Sequence, residues 1–254
     1  MNLFKQIDIL APEYPGYGLY KGKTKASKLI SDAQDVIDYA TKTDGLNYSI
    51  ENIIVVGRSL GTGVAVQLAA KYPALKAMIL ISAYTSIRDI AYSVAGSLSK
   101  IFIPNIFPNL ETIKGIMVPA LFIHGKKDEL IPDTHAVKLF ESCPSTKKRL
   151  EVRDAMDHNR CLIEKDIFEP IERFLTGDLQ ITDLKGLKLE FLNLANVTSD
   201  DNADDDSFEL KKRPTYRFEK SPIGESATED CRDSFSPSKF SLSSIELRKA
   251  SSLK

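Results

Sequence analysis

The chain has no tryptophan, only three cysteines and only three histidines. Cys143, Cys161 and Cys231 stand far apart without metal-ligand spacing, so neither a disulfide framework nor a metal site is expected, and a reducing compartment suits them. Acidic and basic residues nearly cancel to a formal charge of −1, which leaves no footprint for nucleic acid or for an anionic membrane surface. No apolar run approaches the ~20 residues of a membrane-spanning helix. Met1 to Gln6 is too short and polar for a secretory signal; it lacks the glycine that myristoylation needs and a cysteine to acylate. The expected location is cytoplasmic, with any contact at the plasma or endosomal membrane peripheral and made through a partner or a tail.

What the 254 residues do hold is enough for one substantial core with some chain left over. Its organising stretch is Asn52 to Gln67. Ile53, Ile54, Val55 and Val56 form a β-branched run that reads as a strand buried on both faces of a parallel sheet. Val64 to Ala70 is small and apolar with no breaker before Pro73, and reads as a helix against that sheet. Between them stands Gly57-Arg58-Ser59-Leu60-Gly61, a G-x-S-x-G turn. A strand reversing into a helix over so few residues forces its middle residue into a sparsely populated backbone conformation and holds that hydroxyl out of the turn. Ser59 is therefore the candidate nucleophile and Leu60 N–H a candidate oxyanion donor. Gly57 and Gly61 are expected where side chains would collide, and Gly63 where the helix nears the strand.

Around this elbow, strands and helices alternate. Ile7 to Glu13, Ala77 to Ile81, Pro119 to Ile123 and Leu150 to Val152 read as strands. Lys25 to Thr43, Ile87 to Lys100, Asp133 to Ser142 and Arg160 to Leu175 read as helices. Such alternation implies an α/β fold, a mostly parallel sheet with helices on both faces and its reactive groups at the carboxyl ends of the strands. From Gly177 the composition changes, so residues 1–177 are expected to form the domain and 178–254 a low-complexity tail. Ile181 to Val197 suits either a strand or a short helix; beyond it, an acidic cluster at Asp200 to Asp206 and a serine-rich end predict disorder. Ser221-Pro222, Ser236-Pro237 and Ser251 after Arg248-Lys249 resemble kinase targets.

A serine hydroxyl needs a base, and the base a carboxylate that holds one tautomer. Of the three histidines, His124 closes a strand and is expected to bond the following loop, and His135 begins a helix as a cap or surface residue. His158 lies in the loop after the last strand of the domain, beside the expected position of Ser59. The acid should follow a strand and precede the base. Asp128 does both, with Asp133, Asp154 and Asp157 as rivals whose simpler role is a helix cap or a loop hydrogen bond. The order Ser59, Asp128, His158 is that of α/β-hydrolases.

From Ile7 to Leu175 the chain resembles the α/β-hydrolase superfamily, and within it the α/β-hydrolase domain-containing protein 17 group of membrane-associated protein depalmitoylases. The resemblance rests on Pro12-Glu13-Tyr14-Pro15-Gly16-Tyr17-Gly18, Glu51 to Thr62, Phe107-Pro108-Asn109, Ile123-His124-Gly125 with Asp128, Leu139 to Pro144, and His158-Asn159. It implies an α/β-hydrolase fold without cofactor or metal, acting on an acylated protein or a small acyl ester. In that fold the first strand here is the fourth of eight, and the third lies between the fourth and fifth. The chain is thus expected to be N-terminally truncated, with an opening in the middle of the sheet and without the loop that supplies the second oxyanion donor. An incomplete copy of an active enzyme and a degenerate chain both fit that expectation.

The insertion between Ile81 and Pro119 contains Ile101-Phe102-Ile103-Pro104-Asn105-Ile106-Phe107-Pro108, apolar and interrupted by prolines. Ordinary lid packing accounts for it. So does a shelf for an acyl chain, for which Ile103, Ile106, Phe107 and, from the first loop, Tyr17 are the candidates. Three functions follow: a serine thioesterase or esterase on acylated protein, a serine peptidase of the same superfamily, and a hydrolase-like binding protein without catalysis.

Overall fold

The computed structural model describes residues 7–95, 103–181 and 188–190. Six strands, β1 (Asp8–Ile9), β2 (Ile53–Arg58), β3 (Ala77–Ile81), β4 (Ala120–Gly125), β5 (Lys148–Arg153) and β6 (Lys188–Glu190), form one sheet. Every described pairing is parallel, and the order across the sheet is β1-β6-β2-β3-β4-β5. The helices that matter for the site are α1 (Ala26–Thr41), α2 (Leu60–Lys71), α3 (Ile87–Ala95), α4 (Asn109–Thr112), α5 (Thr134–Ser142) and α6 (Glu169–Arg173).

Alternate side chains of the central strands feed two separate cores, as the pleat requires. Val55, Met78, Leu80, Ala120 and Phe122 face the layer that contains Leu29, Ile37 and Leu68 from α1 and α2. Ile54, Val56, Ile79, Leu121 and Ile123 face the other layer, where Ile171 and Phe174 close the far side. Both faces of β2, β3 and β4 are therefore dry, which is why those strands read as unbroken apolar runs. The edge strand β5 is only partly buried, and Arg149, Glu151 and Arg153 form ion pairs along it.

Several elements differ from expectation for identifiable reasons. Among the described residues the first strand pairs at Asp8 and Ile9, and Pro12, which has no N–H to give to a ladder, follows shortly after. The last helix starts at Ile163 rather than Arg160 and opens in a wide π turn, Ile163–Phe168, before α6. Pro170 explains the widening, since its ring would collide with the carbonyl four residues earlier in a regular α-helix. The expected opening in the sheet is not there: β6 lies between β1 and β2, with Leu189 in register with both Ile9 and Ile54. The stretch that suited strand or helix equally is a strand at Lys188–Glu190. The acidic cluster, the kinase-like serines and the tail beyond lie outside the described residues, as do residues 96–102, which include the end of the helix expected over Ile87 to Lys100 and the start of the apolar insertion.

Candidate active site

Strand β2 ends at Arg58 and α2 begins at Leu60, leaving Ser59 alone in the reversal. Its φ of 50° and ψ of −119° lie in the sparsely populated backbone region expected of it, a strain of about 1–3 kcal/mol that the surrounding packing must hold. Ser59 N–H donates to Ile81 O at 2.9 Å, which ties the elbow to the neighbouring strand end. A Cβ on Gly57 would stand 2.4 Å from Gly61 O, so the turn closes only with glycine there. Gly63 has a different role from the one expected. A Cβ on it would meet Tyr84 Oη at 2.4 Å and the Phe107 ring at 2.5 Å, so the missing side chain makes room for the insertion and not for the strand.

Ser59 Oγ lies 3.1 Å from His158 Nε2, and His158 Nδ1 lies 2.8 Å from Asp128 Oδ2. Three strand ends, β2, β4 and β5, thus deliver side chains 30 and 99 residues apart in sequence to one line. Asp128 is buried. Burial on its own would raise its pKa, but hydrogen bonds from His124 and His158, the His158 charge and the Ile131 N–H outweigh it and hold the carboxyl far below its ordinary range. The acid is therefore a carboxylate, which can only accept. His158 Nδ1 must carry the proton facing it, and Nε2 is left as the acceptor for the Ser59 hydroxyl.

The Asp128 loop is held from within. Its Oδ1 accepts the N–H groups of Leu130 at 3.1 Å and Ile131 at 2.8 Å, which leaves Oδ2 for the imidazole. His124 does bond the following loop. Its Nε2 donates to Ile131 O at 2.7 Å and stands 3.5 Å from Asp128 Oδ2, so the better bond goes to the carbonyl. His135 is neither a cap nor a surface residue. It is buried with Nδ1 2.9 Å from Thr85 Oγ1, because the first turn of α5 packs against the loop after β3, and burial lowers its pKa. Two of the three rival acids are occupied elsewhere: exposed Asp154 pairs with Lys126, and Asp157 accepts the N–H groups of Asn159 and Arg160. Asp133 precedes α5 without a side-chain cap bond.

Leu60 opens α2, so its N–H has no acceptor within the helix and adjoins Ser59. Of the four residues read as a shelf, Phe107 is buried against Gly63 and Tyr84, while Ile103 and Ile106 remain partly exposed. Tyr17 is half-buried, edge-on to Tyr14 with centroids 6.2 Å apart, and burial raises its pKa. Sequence reasoning missed Asn109, whose buried amide donates to Tyr84 O at 2.9 Å and ties α4 to the β3 loop. Its signal was the Phe107-Pro108-Asn109 motif itself. Arg58 was missed as well, and only three-dimensional proximity shows its partner, the His158 carbonyl. Among the described residues no group of three acidic, cysteine or histidine side chains could hold a metal ion.

Residues 4–115 match the family described as serine aminopeptidase, S33. Human α/β hydrolase domain-containing protein 17B is 34% identical over 174 residues, covering 68% of this chain and 57% of that protein. The mouse protein 17C is 32% identical over the same length, with 68% and 52% covered. The chain spans a little over half the length of these relatives. Among solved structures, mouse α/β hydrolase domain-containing protein 10 aligns over 66% of this chain and 75% of its own, with a TM-score of 0.47 and 18% identity. With its parallel sheet and its elbow the chain has the α/β-hydrolase fold, and it is related to the α/β-hydrolase domain-containing protein 17 group.

Proposed function

We propose that this chain is a serine hydrolase that transfers acyl groups from thioesters or esters to water, with S-acylated protein, palmitoylated above all, as its substrate class. The observation that supports this reading is the continuous line from Ser59 Oγ through His158 to Asp128, with hydrogen-bond distances of 3.1 and 2.8 Å. His158 Nε2 takes the hydroxyl proton as Ser59 Oγ attacks the acyl carbonyl, and Asp128 stabilises the imidazolium that forms. The oxyanion that develops accepts from Leu60 N–H. His158 then returns the proton to the leaving thiolate or alkoxide, activates a water against the acyl-enzyme and regenerates Ser59 as the acid departs. An acyl chain would run along the partly exposed Ile103 and Ile106, with Tyr17 as the candidate contact from the first loop.

A fluorophosphonate probe should label the folded wild type and not Ser59→Ala, and a p-nitrophenyl ester series should show a preferred chain length. Unlabelled folded wild type would instead favour the non-catalytic binding protein. The serine aminopeptidase match favours a second reading, a peptidase. That reading needs a carboxylate to clamp a peptide amine, and Glu13 of the first loop already accepts the N–H groups of Leu19 and Tyr20. Aminoacyl amides cleaved faster than acyl thioesters would establish it. Cytoplasmic location, peripheral attachment at the plasma or endosomal membrane, and phosphorylation of the tail by kinases belong to the same proposal. Fractionation of cells and intact-mass measurement of the isolated protein test them.

A further inference from the structure

The variable position before the nucleophile is Arg58, the last residue of β2. Its guanidinium turns away from the strand, and Nη2 donates to the main-chain carbonyl of His158 at 2.5 Å, joining residues 100 apart. Among the described residues no carboxylate pairs with it. A partly buried cation whose polar partner is a carbonyl is a poor device for stability alone, since desolvating the charge costs more than desolvating a neutral donor. Its advantage is a charge-assisted bond roughly twice as strong as a neutral one.

The loop that receives this bond, Asp154 to Leu162, contains neither helix nor strand. Its other ties fall on either side of the base. Lys127 N–H donates to Met156 O at 3.1 Å, Asp157 N–H donates to Arg160 O at 3.0 Å, and Asp157 Oδ1 accepts Asn159 and Arg160 N–H. Gly125 lets β4 press against the loop, since a Cβ there would lie 2.3 Å from Met156 O. The peptide of His158 itself is held by Arg58. Nucleophile and base are thereby fixed to one strand end: Ser59 through the chain, His158 through the guanidinium.

We infer that Arg58 is a positioning residue, which clamps the His158 peptide so that Nε2 stays within hydrogen-bond reach of Ser59 Oγ. The inference rests on the serine-hydrolase reading and concerns how that reaction keeps its geometry. Without the clamp the imidazole keeps Asp128 but loses its fixed distance to the serine, and a misplacement of about 1 Å costs on the order of 10²-fold in rate.

The test uses the full chain and the variants Arg58→Met, which keeps much of the aliphatic length without donors, and Arg58→Lys, which restores one charged donor. Fluorophosphonate labelling rates and kcat and KM for a p-nitrophenyl ester are measured beside thermal melts. Expected are a fall in kcat and in labelling rate of about 30- to 100-fold for the methionine variant, KM within about threefold, and partial recovery in the lysine variant. If the methionine variant does not fold, Arg58→Gln supplies a neutral donor, and a loss of kcat at unchanged KM is expected there as well. Wild-type kcat in a folded donor-less variant, or a loss that tracks melting temperature and is not recovered by lysine, would overturn the inference. An unlabelled wild type would overturn the serine-hydrolase reading and this inference with it, whereas a labelled wild type with indifferent Arg58 variants would remove this inference alone.

Discussion

Asp128→Asn separates geometry from protonation more cleanly than any other single change in the site. Asp128 Oδ1 accepts two backbone N–H groups, from Leu130 and Ile131, while Oδ2 accepts His158 Nδ1–H. An asparagine has one acceptor oxygen, and the two fixed N–H groups claim it. The amide NH2 then faces His158, so Nδ1 must accept, Nε2 must carry the proton, and the imidazole can no longer take the Ser59 hydrogen. The fold loses little, because the loop keeps both backbone bonds; alanine would leave them unsatisfied at about 1–3 kcal/mol each. The reaction loses its base. The same change in a well-studied serine protease lowers kcat about 10⁴-fold, which is roughly 5 kcal/mol of barrier. The expected result is therefore a variant that melts within a few degrees of wild type and labels with fluorophosphonate about 10³- to 10⁴-fold more slowly. A folded Asp128→Asn that labels within tenfold of wild type would refute the reasoning about tautomers. The variant also isolates the electrostatics. The folded pKa of Asp128 lies below its ordinary value, so its stabilising contribution is fully present above the unfolded value of about 3.8 and is lost as pH falls through the folded one. The part of the stability that comes from ionising the carboxyl itself should accordingly be complete above about pH 4 and fall away only in stronger acid, where Asp128→Asn has nothing to lose.

Three further outcomes follow from packing. Leu189→Pro removes one N–H from β6, the strand to which β1 is paired, and should lower stability by about 1–3 kcal/mol, seen as a drop in melting temperature of roughly 2–10 °C; an unchanged melt would mean that β6 contributes nothing to the sheet. Gly63→Ala drives a methyl group into Tyr84 and the Phe107 ring, with an expected cost of about 1–3 kcal/mol and a change in the long-to-short acyl preference of the ester series. An unaltered preference would detach the insertion from substrate selection. Burial pushes the Cys143 thiol up and Cys161 is only half-buried, so an alkylating reagent at neutral pH should modify Cys161 more than about tenfold faster, as peptide mapping would show.

The parts of the chain that sequence reveals best are those where one local force decides the outcome. Strands β2, β3 and β4 are dry on both faces, so their composition alone marks them, and the Gly57 to Gly61 turn carries its own steric logic. Asp128 could be chosen from its rivals because it follows a strand in a short loop, and the two N–H groups it accepts are the physical form of that choice. His135 and Gly63 were misjudged for a shared reason: each has its role fixed by an element distant in sequence, Thr85 for one and Phe107 for the other. The position of β6 is the extreme case. Nothing in the alternation of Leu187, Leu189 and Phe191 says which strands Lys188–Glu190 lies between, because alternation specifies a pleated segment and not its neighbours.

That distinction bears on the site itself. The elbow fixes where Ser59 Oγ is, since strand, turn and helix are continuous there, but the base arrives on an irregular loop whose course no periodicity encodes. Two polar contacts fix the base on that loop: Asp128 sets the rotation of the imidazole, and Arg58 sets the peptide from which it hangs. They act on different coordinates, so their losses should differ in kind. Removing the carboxylate changes which nitrogen is protonated, and removing the guanidinium changes a distance. In the double variant Asp128→Asn/Arg58→Met the wrong tautomer already blocks proton transfer, so the loss should fall short of the product of the two single losses. Full multiplicativity in the labelling rate would mean that the two contacts do not converge on His158.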